Sequence, residues 1–391
     1  MTYEINVSSI PQESFRLLIR TGAASSCTGK TPQWVTDIVA NGVELYLEDV
    51  MTQAGRHFAD RVNSQAITGG TPRQRAMALA WAIGAMVNPY VDGDLLYVED
   101  PGDPDVKRLC SEIFGVGLGL EMLRVAQVID ARTLFKVASR FDFEAYGPSG
   151  GRLVRIEAKG TFNNASSSRQ RVSIAAKIQA LAEPKRYDRA IGLISSLWTV
   201  DRQRIFDIEI TDPERGARDH FDEATRQVIR FYARRFDDAV GKREGSELLM
   251  QVADDPQLMQ NHSQTLDDLF GTDARPSRRF WRAQLTTIYD GKRQRFLGSF
   301  WERSILPIPL SLDARDDENV QAYMAVDARI LELIRARDFR GLLDYKPLYS
   351  GILKAEGDQF RAIFHLDSYG ILRGLVTGEL PLSVDLSPGK A

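Results

Sequence analysis

Residues 140–162 read RFDFEAYGPSGGRLVRIEAKGTF. Two runs, 141–146 and 153–159, flank Gly147, Pro148, Ser149, Gly150 and Gly151, a turn without a large apolar side chain. Such runs around a Gly/Pro/Ser cluster predict a β-hairpin. Side chains alternate faces along a strand, so Asp142 and Glu144 share a face of the first run. Glu157 and Lys159 share a face of the second, with Val154, Ile156 and Ala158 as its apolar back. Carboxylates and an ammonium are therefore expected at one edge of an apolar sheet. Desolvating charges beside a core is costly, and their placement there points to a use.

Outward from the hairpin, the order of elements is specific. Residues 105–128 predict a helix, which Gly115, Gly117 and Gly119 weaken while leaving room for close packing against a sheet. A strand is expected near 134–137, a second helix at 166–181, and a doubly covered strand at 190–200, AIGLISSLWTV. An edge strand at 205–210 and a helix at 222–240 follow. The core reads α-β-β-β-α-β, a mixed α/β sheet. Residues 1–100 are expected as a mostly helical accessory domain, with helices at 32–50 and 72–87 and strands at 15–19 and 95–98. The core domain is expected at 101–240, opened by the DPGDP cluster at 100–104. Residues 241–278 predict a linker or helical excursion. Residues 279–391 predict an α/β accessory or recognition domain, with strands at 295–300, 305–312 and 359–366 and a helix at 318–337.

The 391 residues are 43% hydrophobic and 26% charged, as in soluble globular proteins. A formal net charge of −3 excludes a globally basic nucleic-acid binder and leaves only local basic patches. Two cysteines, Cys27 and Cys110, exclude a disulfide scaffold and a cysteine-based zinc site, in keeping with a reducing cytosol. The N-terminal stretch lacks a secretory pattern, and the most apolar helix candidate, 76–87, is too short for a bilayer. A cytoplasmic location without membrane contact is expected. The four histidines, His57, His220, His262 and His365, are few, so hard oxygen ligands favour magnesium or manganese over zinc.

The order of elements, with Asp142 on the second strand and Glu157-Ala158-Lys159 on the third, resembles the PD-(D/E)XK nuclease superfamily over residues 103–210. The resemblance implies a restriction-endonuclease-like mixed sheet. It implies Asp142 and Glu157 as ligands of Mg2+ (or Mn2+), Lys159 as the cation that orients the attacking water, and an acid on the first helix. Glu121 and Glu112 both qualify as that acid, Glu121 lying nearer the strands, and Glu144 is an additional candidate ligand. Phe141 stands where the superfamily has its nominal proline. Gln170 is similar to the glutamine of RecB-like members, whose tyrosine four residues on is replaced here by Ile174.

The implied activity is metal-dependent hydrolysis of DNA phosphodiesters in restriction, repair or phage defence, with RNA left open as a substrate and a homodimer or larger assembly compatible with it. The chemistry fits: a divalent cation held by carboxylates activates water and offsets phosphoryl charge, and a neighbouring lysine adds a point charge.

Basic residues accompany the motif. Arg169, Arg171 and Lys177 lie on the helix after it and are candidates for nucleic-acid binding. Arg226, Arg230, Arg234 and Arg235 lie on the later helix, where residues four apart share a face; Asp222, Glu223, Asp237 and Asp238 make an ordinary solvated face equally compatible. Arg278, Arg279, Phe280, Trp281 and Arg282 mix arginines with aromatics that either stack on bases or anchor a core. Two further readings stay open. One is a catalytically inactive binding module of the same fold. The other is a nucleotide hydrolase using 24–31, ASSCTGKT, as a phosphate loop with Lys30 on the phosphates. Against the second, Pro32 removes an N–H at the helix start, and Thr31 suits a helix cap.

Overall fold

The computed structural model describes residues 2–12, 14–21, 33–59, 90–92, 95–97, 102–136, 141–161, 164–179, 188–196, 205–211, 220–240, 243–255, 280–302 and 320–381. The chain forms two compact units, Glu13–Gln227 and Met1–Gln12 with Val228–Ala391. The first strands are β1 (Thr2–Asn6), β2 (Ser8–Ile10), β3 (Ser14–Thr21) and β4 (Val43–Tyr46), with helix α1 (Gln33–Asn41) before β4 and α2 (Leu47–Ala59) after it. A short antiparallel pair follows, β5 (Tyr90–Asp92) and β6 (Leu95–Tyr97). Helices α3 (Pro104–Cys110) and α4 (Val116–Val125) are joined by a π-helical turn, Ser111–Gly115. Asp103 caps α3, accepting from the N–H groups of Asp105 and Val106 at 2.9 and 3.0 Å, and Pro104 supplies the first helical residue. Then come β7 (Phe135–Lys136), β8 (Phe143–Tyr146), β9 (Leu153–Thr161), α5 (Asn164–Gln179), β10 (Arg189–Ser196), β11 (Ile205–Thr211) and α6 (Phe221–Val240).

The hairpin is β8 and β9, antiparallel, with Phe143 opposite Ile156 and Glu144 opposite Arg155. Phe143, Ala145, Val154, Ile156 and Ala158 all enter the hydrophobic core of this unit, so the charged alternates face the other way. The mixed sheet has seven strands in the order β4-β3-β11-β10-β9-β8-β7. β9 and β10 are parallel neighbours joined through α5, the crossover that a parallel pair requires. Helix, three antiparallel strands, crossover helix and parallel strand thus stand in the predicted order.

Several expectations need correction. β11 is not an edge strand: it lies between β10 and β3, pairing antiparallel with the first and parallel with the second. Residues 32–50 are not one helix. Gly42, at φ +70°, ends α1, and β4 follows, pairing with β3. β3 and β4 thereby belong to the same sheet as the hairpin, although they come from the stretch expected as a separate helical domain. Phe15, Leu17 and Ile19 alternate into its core.

Behind the sheet the helices pack very closely. A Cβ on Gly115 would lie 2.8 Å from Gly160 Cα, and one on Gly160 only 1.7 Å from the Ser111 carbonyl oxygen. Backbone therefore meets backbone where the π-turn crosses β9. Gly119 also faces the sheet, at Leu193, whereas Gly117 faces α2, where a Cβ would be 2.6 Å from that of Ala54.

The other unit holds α7 (Arg243–Asp254), β12 (Phe280–Tyr289), β13 (Lys292–Glu302), β14 (Val320–Asp327), α8 (Ala328–Arg335), α9 (Phe339–Leu343), β15 (Gly351–Gly357), β16 (Phe360–Leu366) and β17 (Ile371–Gly378). Its eight-stranded sheet runs β1-β12-β13-β14-β17-β16-β15-β2. α7 is a helix within the stretch expected as a linker or helical excursion, and it buries Leu248, Leu249, Val252 and Ala253 along one face. The helix expected at 318–337 is a strand followed by a helix. Residues 322–328 are all buried, and a wholly buried run has no period to tell strand from helix. Asp327 then starts α8 by accepting from the Arg329 N–H at 2.8 Å. The segments at 24–31, 72–87, 278–279 and 305–312 lie outside the described residues. Among the described residues no helix is long and apolar enough to cross a membrane.

Candidate active site

The charged face of β9 carries Arg155, Glu157 and Lys159 in alternation. Glu157 is 0% exposed, deep in the sheet between β8 and β10. Its Oε1 accepts from Lys159 Nζ at 2.6 Å and from Lys177 Nζ, on α5, at 2.5 Å. Its Oε2 has no hydrogen-bond partner among the described residues. Asp142, just before β8, reaches the same ammonium: its Oδ2 lies 3.1 Å from Lys159 Nζ and also accepts the Ala158 N–H at 3.2 Å. One lysine thus bridges two carboxylates that come from different strands of the hairpin. Burial alone would lower the Lys159 pKa, but the hydrogen bond it donates to Glu157 and the charges of Asp142 and Glu157 outweigh it and raise it. The raised value keeps Lys159 charged through neutrality. Its ion-pair stabilisation is complete below the ordinary lysine value of 10.5 and is lost only as pH rises through the folded-state value.

The site is braced from both sides of β9. The π-turn presses on Gly160, one residue past Lys159, and Ser195 Oγ on β10 donates to the Gly115 carbonyl at 2.5 Å. From α5, Gln170 Nε2 donates to the Gly160 carbonyl at 3.1 Å. At the other end of β9, the Leu153 N–H donates to Asp188 Oδ2 at 3.0 Å, and His220 Nε2 lies 2.7 Å from the same oxygen. Asp188→Ala removes the acceptor of a buried N–H, so a loss of about 2 kcal/mol in urea unfolding is expected, with Asp188→Asn recovering part of it.

Glu121 and Glu144 are each held by an arginine. Glu121 is buried at 1% exposure on α4, where the Arg124 Nε donates to its two oxygens at 2.9 and 2.8 Å and Gln53 Nε2 donates at 3.3 Å. Burial raises its pKa despite the opposing guanidinium. Glu112 is exposed on the π-turn. Glu144 is held by Arg155 Nε at 2.8 Å rather than turned to the lysine. Arg169 is exposed and Arg171 half-buried on α5, whereas Lys177, expected with them as a nucleic-acid-binding residue, sits on Glu157. On α6, Arg230 pairs with Asp254 at 2.6 Å and Arg235 is buried over the Phe231 ring, so the four arginines do not form one solvated row.

A signal for Lys177 was present in the helix period. Gln170, Ile174 and Lys177 are spaced as one face of α5, and Ile174 is fully buried against the sheet while Val172 is exposed. Among the described residues no three His, Cys, Asp or Glu side chains gather as a metal cluster; the site is a carboxylate pair with two ammonium groups. No protein-family model, curated protein or solved structure matches the chain.

Proposed function

We propose that the chain is a metal-dependent nuclease that hydrolyses DNA phosphodiesters, built on a restriction-endonuclease-like core. The observation that carries this reading is the sharing of the Lys159 ammonium by Asp142 and Glu157 on the charged face of the hairpin. The helix, three strands, crossover helix and parallel strand around it support the same reading.

The residues fit a hard divalent cation. Glu157 Oε2 is a buried carboxylate oxygen without a donor among the described residues, and Asp142 adds a second oxygen ligand within reach of the same lysine. Asp142 and Glu157 would hold magnesium or manganese, which when bound supplies Lewis acidity and an activated water. Lys159 sets a fixed positive charge beside the reacting phosphate and steers the water. The Ala158 N–H fixes the Asp142 carboxylate, and the helix packing at Gly160 fixes Lys159 on its strand. Hydrolysis joins the water oxygen to phosphorus, breaks the bond to the leaving ester oxygen and delivers a proton to that oxygen. Restriction, repair or phage defence in a reducing cytosol is the setting this chemistry fits.

Nicking or linearisation of plasmid DNA with Mg2+ or Mn2+, abolished by chelator, tests the reading; wild-type rates in Asp142→Ala or Lys159→Ala contradict it. One observation favours a second reading, a non-cleaving binding module: two carboxylates and two lysines balance one another without any added cation. DNA affinity that persists without cleavage in either metal supports that module.

A further inference from the structure

We propose that Lys177 guards the metal-binding carboxylate: its ammonium holds Glu157 while no divalent cation is bound, and it withdraws from Glu157 when one binds. The inference rests on the metal-site reading above and assigns Lys177 a regulatory, positioning role in it.

Three observations carry it. Lys159 and Lys177 both bond the same oxygen, Oε1, of a carboxylate that is itself 0% exposed. A divalent cation arriving at that carboxylate meets two ammonium groups already within bonding distance, and like charges in a partly buried site repel strongly. The two lysines are not equally held. Lys159 is fixed by Asp142 as well as Glu157, whereas among the described residues Lys177 pairs with Glu157 alone.

Lys177 also has somewhere to go. Its side chain is 30% exposed at the end of a flexible stem, so the ammonium can turn to water without moving the backbone. α5 itself stays seated, since Ile174 is fully buried and Gln170 bonds the Gly160 carbonyl. Departure of Lys177 leaves two carboxylates, one lysine and the cation, so the incoming charge is partly offset by the charge that leaves. Cation binding and the Lys177–Glu157 pair are then antagonists, and each weakens the other by the same factor.

Calorimetric titration of Mn2+ into the intact chain, without nucleic acid, separates the possibilities. Wild type, Lys177→Met, Lys177→Arg and Glu157→Gln are compared, with melting curves in chelator confirming that each is folded and Lys177→Gln held as the alternative to Lys177→Met. Lys177→Met should bind Mn2+ about tenfold more tightly than wild type. Lys177→Arg should restore wild-type affinity, and Glu157→Gln should lose the site. Equal or weaker binding by Lys177→Met, with the site still lost in Glu157→Gln, overturns the guarding role and leaves the metal site standing. Absence of Mn2+ binding in both wild type and Lys177→Met removes the metal site, and the guarding role with it.

Discussion

Gly160→Ala should lower the melting temperature of the Glu13–Gln227 unit by roughly 10 °C, the consequence of a loss of at least about 3 kcal/mol. The added Cβ would fall 1.7 Å from the Ser111 carbonyl oxygen and 2.5 Å from its carbon, both backbone atoms with no rotamer to turn aside. Relief requires the π-turn to lift off β9, and with it the contact that puts Gly115 against Gly160 Cα. The core above that contact includes Ile113, Phe114, Val116 and Leu118, all nearly or fully buried, so a small retreat opens packing along the whole helix. Gly147→Ala is the control. Its Cβ would meet nothing closer than 3.5 Å, and its φ of −65° with ψ of 169° suits alanine. Thermal unfolding of both variants checks the difference, and equal melting temperatures would contradict the close packing.

Glu157→Gln should reduce magnesium-dependent DNA cleavage by at least about a hundredfold while leaving the fold intact. The substitution keeps the shape of a fully buried side chain and removes its charge. Removing one partner of a buried ion pair is damaging when the other charge is stranded away from water. Here the remaining charges, Lys159 and Lys177, are 31% and 30% exposed and can solvate, so the cost to stability stays small relative to the cost to activity. Cleavage rates and melting curves measured on the same preparation separate the two effects. A variant that melts as wild type and cleaves as wild type would remove Glu157 from the mechanism.

The hairpin was legible because its information is local. The Gly/Pro/Ser turn and the alternation of Phe143 and Ala145 with charged residues fix both register and face. The glycines of the first helix were legible as a packing device for the same reason, although Gly117 serves α2 and not the sheet. What the sequence hid was long-range. β11 becomes an interior strand only because β3, close to the start of the chain, pairs with it, and no local pattern names that partner. β4 and β14 were hidden by burial or by neighbouring helices, since short apolar runs carry no decisive period.

The site followed the same division. Asp142, Glu157 and Lys159 come together because a hairpin register brings them together. Glu144 pairs with Arg155, its direct cross-strand neighbour, a pairing that follows once the register is known. Lys177 was grouped by charge with Arg169 and Arg171, although its spacing from Gln170 and Ile174 places it on the buried face of α5. Asp188, which ties the start of β9, carries no motif at all.

Supercoiled plasmid incubated with the wild-type chain in Mg2+, and in parallel with chelator, tests the nuclease reading most directly. Nicked or linear product in the first tube and intact plasmid in the second is the predicted result. Intact plasmid in both, with Mn2+ substituted and linear DNA included, would contradict it.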